Sequence, residues 1–137
     1  MTQNELARAY LNKARNRVRV LEVLMEQDAW SDVVREAQEL VELALKGVLR
    51  QLGIDPPKWH DVGPVLVEHQ EKLPKSVRNQ VDRLADISRW LRKEREFSFY
   101  GDTDFIPTEQ YTHSDASRAF DDAVFVLSHA ETVIDSK

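Results

Sequence analysis

Cysteine is absent from this chain, which excludes disulfides, thiolate zinc sites, iron–sulfur clusters and a cysteine nucleophile. Glycine and proline are scarce, at four and five residues, too few for the many tight turns of a β-sandwich or barrel or for a disordered linker. No run approaches the ~20 apolar residues that span a bilayer. The polar stretch Met1 to Tyr10 lacks the apolar core of a secretory signal. No membrane partner is expected, and a reducing cytoplasm is the expected location. An excess of basic charge is also missing, since 19 Lys and Arg against 24 Asp and Glu leave a formal charge of -5. Such a chain does not coat nucleic acid indiscriminately, so any nucleic-acid contact must come from a local patch.

What is present is helical period. The 137 residues, 42% of them hydrophobic, suit a single domain that buries roughly two thirds of its unfolded surface. Thr2 and Glu5 have the form of a capping box. Behind them Leu6, Tyr10, Ala14, Val18 and Leu21 recur at helical spacing, which predicts a first helix over about 3–28. Ser31 is the expected N-cap of a second helix with Val34, Ala37, Val41, Ala44 or Leu45, and Val48 inward, stopped by Gly53. Pro56 and Pro57 break the pattern. Asp61 is the expected cap of a short third helix over about 62–71, which tolerates Pro64 in its first turn and ends at Pro74. Val77, Val81, Leu84, Ile87 and Leu91 predict a fourth helix reaching about Phe99. A loop of about twelve residues follows, from Tyr100 to Tyr111, long enough to be functional. Thr112 and Asp115 then resemble a second capping box, opening a fifth helix with Ala116, Ala119 or Phe120, Ala123, Phe125 or Val126, and Ala130 inward. The expected fold is all-α, a four-helix up-and-down bundle with one additional short helix, spanning 1–137 as one domain.

The strong catalytic patterns are missing. There is no phosphate-binding glycine loop, no His-Glu-x-x-His and no Gly-x-Ser-x-Gly. His60, His69, His113 and His129 are far apart, none with a second histidine at ligand spacing on its own helix, so neither a metal nor a cofactor is expected. Two weaker constellations remain. His60 and Asp61 would orient a proton transfer or bind a polar group, or else cap helix ends. The segment Arg89, Arg92, Lys93, Arg95, Phe97, Phe99 and Tyr100 joins cations to aromatics before the long loop and suits phosphates and bases. It equally suits a helix C-terminus, where the macrodipole favours cations. A further basic run, Arg8, Lys13, Arg15, Arg17 and Arg19, is expected to form a solvated face of the first helix. Glu42 and Lys46 are an i,i+4 pair in the second.

Three stretches together resemble the small prokaryotic HEPN (higher eukaryotes and prokaryotes nucleotide-binding) domain proteins, in a chain opening with the helix Tyr10-Leu11-x-x-Ala14. They are Ala37-Gln38-Glu39-Leu40-Val41-Glu42-Leu43-Ala44-Leu45-Lys46, His60-Asp61-Val62-Gly63, and Arg95 through Tyr100-Gly101. The resemblance covers nearly the whole chain. It implies a helical bundle, commonly a homodimer, often encoded beside a minimal nucleotidyltransferase and linked to toxin–antitoxin or RNA-directed functions. Many members are metal-independent ribonucleases whose motif is Arg, about four to six residues, then His. Here Arg95 meets Tyr100 instead, and Arg118 precedes His129 by too many residues. The expected function is therefore a non-catalytic nucleotide- or RNA-binding module. Its ligand-binding candidates are Arg92, Arg95, Tyr100, His60 and Asp61, with Arg95, Tyr100 and His60 converging on one cleft. The alternative is an endoribonuclease with an altered site, in which Arg95 holds the phosphate and His60 is the base.

Overall fold

A computed structural model describes residues 1–58, 61–99 and 110–135, with the backbone alone for 96–99. The regular structure of these residues is all helical, and no strand occurs among them. The long helices are α1 (Gln3–Glu26), α2 (Trp30–Gln51), α5 (Val81–Phe99) and α6 (His113–Asp135). Between α2 and α5 lie α3 (Val62–Glu68), a 3₁₀ turn (Gln70–Lys72) and the single-turn α4 (Lys75–Arg78).

Both predicted capping boxes form. Thr2 Oγ1 accepts from the Glu5 amide at 3.1 Å while the Glu5 carboxylate accepts from the Thr2 amide at 3.1 Å. Thr112 and Asp115 exchange the same two bonds at 3.2 and 2.9 Å. Each box satisfies two amides that the first helical turn leaves without intrahelical partners. Gly53 ends α2 as expected. At φ +80° it takes the left-handed conformation, and the Ile54 amide reaches back to the Leu49 carbonyl at 2.9 Å.

Three boundaries differ from those the sequence predicts. α2 begins at Trp30, with Ala29 in the capping position, and Ser31 lies buried inside the first turn. Asp28, at φ +56°, makes the turn itself, and its carbonyl accepts from the Trp30 amide at 3.0 Å, so backbone does the work expected of a serine side chain. α3 stops at Glu68 rather than near residue 71, because i→i+3 bonds from Lys72 to His69 and from Leu73 to Gln70 tighten the chain ahead of Pro74. The expected fourth helix is interrupted: α4 ends at Arg78, and α5 starts at Val81 after a turn through Asn79 and Gln80. The i→i+3 bond from Gln80 to Val77, at 2.9 Å, closes that turn, a conformation to which asparagine is suited.

Cross-helix pairs give the directions. Arg17 meets Glu36, and Gln3 meets Asp55, so α1 and α2 are antiparallel. Arg95 meets Gln38 and Arg92 meets Glu42, so α5 opposes α2. Tyr111 meets Glu94 and Asp122 meets Trp90, so α6 opposes α5. The four long helices thus form an up-and-down bundle with α2 at its centre, packed against α1, α5, α6 and α3. That position explains why α2 buries Val33, Leu40 and Leu49 in addition to the predicted stripe. Where two inward residues of α6 were in competition, Ala119 and Val126 are buried, while Phe120 and Phe125 lie at the margin of the core. Small residues allow the close approach. At Gly47 of α2 an added Cβ would stand 3.1 Å from Ile134 Cδ1 and 3.2 Å from both the Ala7 carbonyl oxygen and Tyr10 Cβ. No helix among the described residues is long and apolar enough to cross a membrane.

Candidate functional site

On α5, Ser88, Arg92 and Arg95 occur at i, i+4 and i+7 and therefore share one face. That face meets the polar edge of α2, where Gln38, Glu39, Glu42 and Lys46 flank the apolar stripe. The Arg95 Nη1 donates to Gln38 Oε1 at 3.0 Å and stands 3.9 Å from the Glu39 carboxylate. One turn away, Arg92 Nη1 approaches Glu42 Oε1 at 3.5 Å, and the same oxygen lies 4.0 Å from Lys46 Nζ. The seam alternates in character. Glu42 sits between two cations, whereas Arg95 donates to a neutral amide, 4% exposed, that orients the guanidinium beside the Glu39 carboxylate.

Asp61 lies on the same side of the molecule, about 10 Å of helix away from Arg95 as measured along α5 from Ser88. One of its carboxylate oxygens accepts from the Gly63 amide at 3.1 Å, as the expected cap, and also from Ser88 Oγ at 2.6 Å. Its role here is to fasten α3 to α5. Gly63 of the same motif permits the close seating, since an added Cβ would be 3.1 Å from the Cα and Cβ of Ala85. His60 and Tyr100 lie outside the described residues.

Ser88 and Gln38 are the residues that the sequence pattern undervalues. Ser88 interrupts the stripe Leu84, Ile87 and Leu91 with a hydroxyl that needs a partner once buried, and that is the signal for it. The remaining candidates have partners nearby. Arg15 of the first helix pairs with Glu131 at 2.8 Å and with Asp135, both on α6, and these partners hold its guanidinium above the ordinary pKa. Arg17 faces Glu36, and Arg19 faces Glu22 and Glu26, so acidic partners divide the basic run. His129 Nδ1 lies 2.9 Å from the Phe125 carbonyl oxygen, and the His113 ring stands edge-on to Trp30. No group of three or more His, Asp or Glu able to hold a metal occurs among the described residues.

A family model described as the HEPN domain matches residues 7–133. The chain belongs to the HEPN domain family. No curated protein and no solved structure is matched by it. The match spans all four long helices of the bundle almost completely, and it places the protein among nucleotide- and RNA-related modules. In this HEPN domain the seam between α2 and α5 carries two of the five candidate residues, Arg92 and Arg95, and Asp61 closes it at the α3 end.

Proposed function

We propose that this HEPN domain is a non-catalytic module that binds a nucleotide or RNA through Arg92 and Arg95 together with Tyr100, and that it acts in the cytoplasm as a homodimer partnering a minimal nucleotidyltransferase in a toxin–antitoxin-like pair. The observation supporting the ligand is Arg95. Its guanidinium is 42% exposed, donates to the buried amide of Gln38 and stands 3.9 Å from the Glu39 carboxylate, so a cation oriented by α2 is open to a ligand on its exposed side. The absence of a histidine at motif spacing after any of the α5 arginines supports a binding role over cleavage. An apolar second helix and the tryptophans would favour self-association if exposed, but the apolar face of α2 is buried inside the chain and Trp30 and Trp90 pack partly buried against the core, so the homodimer is supported by the family resemblance.

The test is a titration of purified protein with AMP, ATP and an end-labelled single-stranded RNA, comparing wild type, Arg92→Ala, Arg95→Ala and His60→Ala by sedimentation velocity. The expected wild-type species has twice the 15.9 kDa chain mass. Loss of the Arg95 fork is expected to weaken binding about tenfold, as for a charged hydrogen-bond donor, while the RNA stays intact on a gel. Cleavage that disappears in both Arg95→Ala and His60→Ala would replace the module with a ribonuclease. Binding unchanged in both arginine variants would remove the site.

A further inference from the structure

A different face of α5 turns toward α6, and it carries an aromatic and cationic cluster that the seam with α2 does not use. The Trp90 indole Nε1 donates to Asp122 Oδ2 at 2.9 Å. The Arg118 guanidinium lies over the Trp90 ring, its Cζ 4.0 Å from the centroid, and the Arg83 guanidinium lies over the Phe125 ring at 3.9 Å. Each of these arginines stands 3.9 Å from one oxygen of Asp122, an ion-pair separation too long for a hydrogen bond. Neither guanidinium donates a hydrogen bond within the described residues, and the two side chains are 57% and 63% exposed, against 15% for Asp122. Arg89 completes the rim of the groove, bonded to Asp86 at 2.7 Å.

We propose that this groove between α5 and α6 is a contact surface for single-stranded RNA, with Arg83 and Arg118 binding its phosphates. The proposal rests on the reading of the domain as an RNA-binding module and adds a second surface to it. Three features of the groove point to that ligand. The aromatic rings pre-set the direction of each guanidinium, which lowers the conformational cost of binding a phosphate through the fork. Among the described residues, the groove is lined by three arginines against two aspartates, Asp122 beneath Arg83 and Arg118 and bonded to Trp90, and Asp86 bonded to Arg89, so the lining keeps one positive charge in excess. Trp90 supplies an aromatic wall, its ring lying under Arg118, with the buried Ile87 also lining the groove. An anionic ligand with flat apolar parts therefore fits better than an acidic peptide, and the outward faces of stacked guanidiniums are surfaces on which bases stack.

The test uses the full chain and an end-labelled oligouridylate titrated over a series of salt concentrations. Wild type is compared with the double variant Arg83→Gln/Arg118→Gln and with Arg83→Lys/Arg118→Lys, all three checked for a wild-type circular dichroism spectrum. The glutamine variant is expected to bind about tenfold more weakly. Its plot of log affinity against log salt should be shallower by about 1.4, the value for two phosphates of a single strand that are no longer neutralised. The lysine variant should keep the wild-type slope and lose affinity only severalfold, because it retains charge without the fork. A glutamine variant with wild-type affinity and slope overturns the groove. So does a polyaspartate peptide that displaces the RNA at equal concentration, which would assign the groove to an acidic protein. Loss of binding in Arg92→Ala/Arg95→Ala with no loss in the groove variants defeats this proposal and leaves the seam standing; the opposite pattern defeats the seam alone.

Discussion

Asp61 places two demands on one carboxylate oxygen, the amide of Gly63 and the hydroxyl of Ser88. The first is local and was visible in the sequence, because an aspartate before an apolar helical run is a familiar N-cap. The second joins residues 27 positions apart, and nothing in the local pattern of either one names the other. Arg92 and Arg95 divide the same way. Their spacing showed that they share a helix face, but the identity of their α2 partners depended on how two helices pack. Replacing Asp61 with alanine removes the cap and leaves a buried hydroxyl without its acceptor, so urea unfolding should show a loss of about 2 kcal/mol. Ser88→Ala should cost about 1 kcal/mol or less, and the double variant should cost little more than Asp61→Ala alone, because the shared bond is lost only once.

At the scale of elements, long amphipathic segments and both capping boxes were legible, since their signals lie within three or four residues along the chain. The start of α2 was not. There a left-handed Asp28 solves the problem that Ser31 was expected to solve, and backbone conformation of that kind leaves little trace in side-chain pattern. The division of α4 from α5 was hidden for a related reason: Val77 and Val81 are both buried, so the apolar period runs on across a broken helix. Gly47 shows an element whose packing overrides its own propensity. Alanine there would favour the isolated helix by about 1 kcal/mol. Its Cβ would nevertheless press on the Ala7 carbonyl, a backbone atom of α1 that cannot turn aside, and on Ile134 of α6. Gly47→Ala is therefore expected to lower the thermal midpoint, with a net loss of about 1 kcal/mol or more from overpacking. A raised midpoint would show that the three helices separate easily.

For the whole molecule, one phenol sets a limit in alkali. The Tyr111 hydroxyl, buried where α6 approaches the end of α5, donates to the Glu94 carbonyl at 3.1 Å and lies 3.3 Å from the Glu94 carboxylate. Burial first, and the neighbouring Glu94 charge second, push its ionisation well above the ordinary value of 10.0. The unfolded chain releases that proton near pH 10 while the folded chain keeps it, so above that pH the folded state holds more protons and stability falls as pH rises. Below it the contribution is fully present. Unfolding midpoints measured in urea from neutral pH to above pH 10 should decline more steeply for wild type than for Tyr111→Phe, which has no proton to lose. Parallel slopes would place Tyr111 in water. The net charge of the chain does not reveal this group, because a neutral phenol adds nothing to it.

The central place of α2 has a consequence for how the protein is made. Its partner α1 precedes it in the chain, but α6, which covers the face bearing Gly47, begins 62 positions after α2 ends. On a ribosome adding about 5–20 residues per second, several seconds separate the emergence of α2 from that of α6. During that time the nascent chain carries an unfinished core. Val33 and Leu40 share the helical face of Gly47, so the surface left open is apolar and offers a chaperone or another unfinished chain an area to grip. The place of α2 at the centre of the finished bundle thus leaves the growing polypeptide open to such partners until its last helix arrives.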